Sequence, residues 1–137
     1  MQVNDVYQHD FKFTQEEVNR FAEVTGDNNP VHTNPEYAAK SQFRKPIMHG
    51  MLGASLFSKV FGTLFPGEGT IYLKQNLNFL KPMYVDIHYE AIFTVKEVLF
   101  DKNRAVVETI IRNPEGFVCT SGEATIMNVD KIKKAAV

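Results

Sequence analysis

The run from Thr25 to His32, TGDNNPVH, places a carboxylate, two amides, a proline and an imidazole within eight residues. Pro30 fixes one backbone angle, and Asn28 and Asn29 favour a turn. Asp27 and His32 can therefore fold toward one point although they lie five positions apart. Both side chains can then hold one water. An imidazole titrating near about 6.5, next to a carboxylate partly removed from solvent, is equipment for acid–base chemistry around neutral pH. Asn29 is placed to orient that water. The same residue types are also common turn formers, so spacing alone leaves a plain polar connection open.

A second candidate is the pair His49-Gly50, which opens an apolar stretch. The first N–H groups of a helix lack intrahelical partners and favour negative charge. A glycine there lets a ligand carbonyl approach the backbone closely. The Gly50 N–H is thus a candidate oxyanion donor, with close packing of the helix start as the alternative, and His49 reads as a supporting hydrogen-bond partner. Ser58, one of few polar residues on that helix, either faces substrate or bonds its own backbone. His9 and His88 read as solvated strand histidines, and Cys119 has no evident activating base. Lys40, Arg44 and Lys45 suit either a phosphate or a surface turn, and Lys131, Lys133 and Lys134 read as a solvated terminus.

These residues need elements to position them. Thr14 followed by Glu17 predicts a capped helix carrying Val18, Phe21, Ala22 and Thr25 on one face and stopping at Gly26. Asn34-Pro35 starts a short helix through Ala39, leaving residues 26–33 as the connecting loop. A third helix, from His49-Gly50 to about Gly62, is apolar almost all round and is expected to be buried. After Gly67 the period changes to two: Ile71 to Phe79, a long curved strand starting at Val85, then Ala105 to Arg112 and Phe117 to Asn128. With an amino-terminal strand at Tyr7 to Phe13, this predicts an α+β hot-dog fold. About five antiparallel strands, arranged as a meander, wrap one central helix.

Composition sets the outer limits. The 137 residues, 44% hydrophobic and 23% charged, suit one domain spanning 1–137. A net charge of −1 argues against a nucleic-acid partner. One cysteine permits no internal disulfide, no Cys/His set shows metal-ligand spacing, and no export signal or membrane span is visible. The expectation is a cytoplasmic protein with no metal.

The stretch Phe21 to His32, with Ala38 following His32 after five intervening residues, resembles the signature of the (R)-specific enoyl-CoA hydratases in the MaoC-like dehydratase family. The likeness continues through Arg44-Lys45-Pro46-Ile47-Met48-His49-Gly50-Met51-Leu52, Ser55 to Ser58, Pro66-Gly67 and Gly122-Glu123-Ala124. It implies reversible addition of water to a trans-2-enoyl-CoA, giving the (R)-3-hydroxyacyl-CoA. Asp27 and His32 would serve the water and the proton at C2, Gly50 the thioester oxygen, and Ser58 the active-site surroundings. CoA is then part of the substrate and no separate cofactor is needed. The resemblance also implies a homodimer with the acyl site near the interface, as unpaired sheet edges suggest independently. Dehydration of carrier-protein thioesters, thioester hydrolysis and simple acyl-thioester binding are the competing readings.

Overall fold

The computed structural model describes residues 1–135. In chain order the elements are β1 (Val6–Phe11), α1 (Gln15–Thr25), α2 (Pro30–Thr33), α3 (Pro35–Ala39), α4 (Gly50–Thr63), β2 (Ile71–Gln75), β3 (Asn78–Phe79), β4 (Tyr89–Leu99), β5 (Arg104–Arg112) and β6 (Val118–Met127). The local signals act where they stand. Thr14 caps α1 through a reciprocal box, its hydroxyl accepting from the Glu17 N–H and its own N–H donating to the Glu17 carboxylate. Gly26 ends α1 in the left-handed region at φ 81°, and its N–H reaches Ala22 O. Asn34 caps α3 by accepting from the N–H groups of Glu36 and Tyr37.

One antiparallel sheet runs in the order β1-β4-β5-β6-β2, with β3 also on β6. It lies over α4 in the hot-dog arrangement. The meander holds for β4, β5 and β6, but β2 pairs with β6 and not with β4, so the chain crosses from one edge of the sheet to the other. The expected first strand divides at Asn76. There the Asn76 N–H donates to Glu123 O and the Asn76 side chain accepts from the Glu123 N–H. Gly122 makes room for this crossing, since a Cβ would collide with the Asn76 carbonyl. The long strand begins only at Tyr89, because Val85 and Asp86 form a turn with Asp86 at φ 60°, and it bends at a bulge between Val95 and Glu97.

The core forms between α4 and the sheet. Phe57 and Phe61 meet Phe93 edge-on, with centroids 5.7 and 5.2 Å apart, and all three rings are buried. The helix is not enclosed on every side within one chain. Met51 is 57% exposed, and Ser55, Ser58 and Lys59 share its open face. These residues recur at three- and four-residue spacing, so they form one stripe along the helix.

Candidate active site

The connection after α1 is not wholly a loop. Asn29 caps a one-turn helix, α2, by accepting from the Val31 N–H at 3.2 Å, with Pro30 as its first residue and His32 in its last turn. Asn29 thus holds the backbone that carries His32. Its side-chain oxygen is committed to this cap, which leaves the amide nitrogen as its part able to reach a water. Gln15, from the first turn of α1, donates to the His32 carbonyl at 2.9 Å. The following segment is pinned alongside, with the Ile47 N–H on Val31 O and the Met48 N–H on Met83 O.

His32 Nδ1 lies 2.8 Å from the Ile47 carbonyl. A carbonyl only accepts, so Nδ1 carries the proton, and in the neutral ring Nε2 is left with its lone pair. The Asp27 side chain is 54% exposed, and one of its oxygens accepts from the Asn29 N–H at 3.4 Å. A carboxylate oxygen of Asp27 and a ring nitrogen from each of His32 and His49 all lie within 4.8 Å of one another. Two hydrogen bonds of about 2.8 Å meeting at one water span such a separation. The structure therefore brings the predicted pair together at a distance that suits a shared water.

His49 supports both members. It is buried, its Nε2 donates to the Asp27 backbone carbonyl at 3.1 Å, and its ring stacks on His32 with centroids 3.9 Å apart. Burial pushes its pKa below 6.5 against the upward pull of the hydrogen bond to the Asp27 carbonyl, and the nearby His32 adds to the lowering. Its Nδ1 has no partner among the described residues, so protonating that atom would bury an unbonded donor. The 4.0 Å approach of Nε2 to the Asp27 carboxylate is accordingly a contact of a neutral ring. The stacking also bears on metal binding. Rings stacked with centroids 3.9 Å apart and inclined by only 28° lie in offset, nearly parallel planes, so no nearby point lies in both planes as one ion bound by both in-plane lone pairs would require, and the trio suits acid–base work better than metal ligation.

Gly50 begins α4, where its N–H has no intrahelical partner. A Cβ there would stand 2.7 Å from the Phe79 ring, so the glycine is required by that close approach. His32 and Gly50 face one cleft of about 390 Å³, floored by the buried Met48, Met83 and Thr120 and rimmed by the exposed Phe79 and Lys81. Ser58 is not part of it. It lies two turns along α4 and lines a second cleft of about 490 Å³ with Phe21, Tyr72 and Leu77; Met51 borders both.

The weaker candidates fall into place. His88 is exposed just before β4, not on a strand, and His9 contacts the Lys59 amine at 3.3 Å. Cys119 is buried, which raises its pKa. Lys40, Arg44 and Lys45 are exposed, with Lys45 resting over the Tyr84 ring; the three tail lysines are exposed as well. Sequence reasoning missed the Ile47 carbonyl, Phe79 and Thr120. Nothing local marks them, because their places depend on strand register and on the crossing of chain segments far apart in sequence.

The profile of the MaoC-like domain family matches residues 3–113. An (R)-specific enoyl-CoA hydratase of Aeromonas caviae is 41% identical over 115 residues, covering 84% of this chain and 86% of that protein. A mitochondrial 3-hydroxyacyl-[acyl-carrier-protein] dehydratase of Arabidopsis thaliana is 31% identical, covering 98% of this chain and 83% of that one. An unliganded R-hydratase structure from Pseudomonas aeruginosa superposes with a TM-score of 0.90 at 35% identity, covering all of this chain and 90% of that one.

Proposed function

The chain belongs to the MaoC-like domain family, and from that premise we propose that it is an (R)-specific enoyl-CoA hydratase. It adds water reversibly to trans-2-enoyl-CoA to give (R)-3-hydroxyacyl-CoA. The observation that carries this reading is the meeting of Asp27 and His32, whose Nε2 keeps its lone pair, beside a cleft whose other wall is the first N–H of α4.

A water held between the Asp27 carboxylate and His32 Nε2 gives up a proton to this pair as its oxygen bonds to C3. Electron density from the double bond moves to the thioester oxygen, which receives the Gly50 N–H. C2 then takes a proton from the same pair, so one water is added overall and the enzyme is restored. His49 and Asn29 act by position: one stacks on His32 and holds the Asp27 backbone, the other holds the helical turn under His32. These steps need no metal and no resident cofactor, since CoA arrives with the substrate.

Two further features go with the reading. The β2 edge exposes Ile71, Tyr72 and Leu73, and the α4 stripe lies open nearby, which supports a homodimer joined along this side. A cytoplasmic setting suits the lone buried thiol of Cys119. Among the described residues no helix is long and apolar enough to cross a membrane.

The test is to mix the purified protein with crotonyl-CoA, follow loss of the enoyl absorbance, and resolve the product on a chiral column. The expected product is (R)-3-hydroxybutyryl-CoA. Free CoA released without hydration would replace this reading with thioester hydrolysis, and much faster turnover of crotonyl-carrier protein would reassign the carrier.

A further inference from the structure

Three buried side-chain polar atoms lack a hydrogen-bond partner among the described residues: His49 Nδ1, Arg112 Nε and Thr120 Oγ1. Of the three residues, Thr120 is the one that lines the catalytic cleft. It is 1% exposed and lines the cleft with Met48, Met51 and Met83, whose side chains offer no strong acceptor or donor. A hydroxyl buried without a partner costs stability, and in a binding cleft that cost is offset when a ligand supplies the missing bond.

The sheet register places Thr120 near the start of α4. Thr120 on β6 is the direct partner of Phe79 on β3, so the two side chains project from the same face. The Phe79 ring in turn packs against the open side of Gly50. Beside them, the N–H groups of Leu80 and Lys81 both donate to Cys119 O, at 2.8 and 3.2 Å, which fixes the strand carrying Thr120. Gly50, Phe79 and Thr120 therefore form one continuous wall.

We propose that the Thr120 hydroxyl is a second donor to the substrate's thioester oxygen, acting beside the Gly50 N–H. This rests on the hydratase reading given above. During hydration the double-bond electrons reach that oxygen as the water oxygen bonds to C3, and they return when C2 takes its proton. The hydroxyl keeps its own proton throughout and contributes only a hydrogen bond, which strengthens as charge develops. A dry, apolar floor makes such a bond count for more than it would in water.

The experiment compares wild type, Thr120→Val and Thr120→Ser in steady-state hydration of crotonyl-CoA, with a thermal melt of each. Valine keeps the shape and removes the unpaired hydroxyl, so its melting temperature should equal or exceed that of wild type. Its kcat should fall by about tenfold or more while KM stays within about threefold, and serine should restore most of the loss. A kcat for Thr120→Val within about twofold of wild type would overturn the assignment. So would a loss carried by KM alone, a serine variant as slow as valine, or a lowered melting temperature for valine, which would show the hydroxyl bonded within the protein. An active wild type with an unaffected valine variant sinks this assignment alone; an inert wild type sinks the hydratase reading and this assignment with it.

Discussion

Residues 26–34, through His32, and the layer of α4 on the sheet, through Gly50, both meet the cleft, but they are held in different ways. The first region is mostly exposed, and short bonds within the chain shape it: the Asn29 cap, Gln15 on the His32 carbonyl, and His32 on the Ile47 carbonyl. The second is shaped by burial, with Phe57, Val60 and Phe61 of α4 packed beneath Phe93 of β4. In the proposed hydratase reading, the groups that move protons come from the region stabilised by individual hydrogen bonds, and the thioester-oxygen donor comes from the region stabilised by the core. Chemistry and stability should therefore separate under mutation. Damage to the first region should fall on turnover, and damage to the packed rings of the second on folding.

The largest effect expected on either side is Phe57→Ala. This ring is fully buried and meets Phe93 edge-on. Its loss should cost about 3–5 kcal/mol, a large share of the roughly 5–15 kcal/mol that holds a domain together, read as a lowered urea midpoint. Asp27→Asn and His32→Gln come next and test the opposite side. Each should slow hydration of crotonyl-CoA by at least about 100-fold, the scale of lost acid–base catalysis, while leaving the urea midpoint close to wild type. If either variant unfolded as readily as Phe57→Ala, the exposed region would prove to be part of the stabilising structure. Asn29→Ala lies between the two: loss of the cap should cost about 1 kcal/mol locally and lower kcat through a poorly held His32, with a smaller change in the midpoint than Phe57→Ala gives.

The same contrast governs what could be read in the sequence. Thr14, Gly26 and Asn34-Pro35 mark their helix ends because capping acts over three or four residues, and the turns between β4, β5 and β6 are equally local. Asn29-Pro30 carries the same cap-then-proline signal as Asn34-Pro35, and it makes a helical turn where a loop was expected. Asp27 and His32 were legible as a pair from residue type and spacing, and the family resemblance supplied their roles. Register and crossing were not legible. The pairing of β2 with β6, the late start of β4 at Tyr89 and the open stripe on α4 each depend on distant segments. Ser58 illustrates the limit: the helix position was right, but the turn on which it sits puts it in the second cleft.

The smallest expected effect falls on His49, which joins the two regions, since it precedes α4 yet stacks on His32 and holds the Asp27 backbone. Burial lowers its pKa in the folded protein from 6.5. The unfolded chain then binds the proton more readily, so stability is fully present above about pH 6.5 and declines as pH falls toward the lower folded value. His9, lowered by burial and by Lys59, contributes in the same direction. Melting temperatures should therefore drop modestly between pH 7.5 and 5.5, with a shallower slope in His49→Gln and a remainder due to His9. The titratable groups acting on the His49 ring are His32 and Asp27, so the same variant should also shift the pH profile of hydration. An unchanged melting slope together with an unchanged pH profile would mean that the two regions are not joined through this ring, and that Asp27 and His32 are held by their own hydrogen bonds alone.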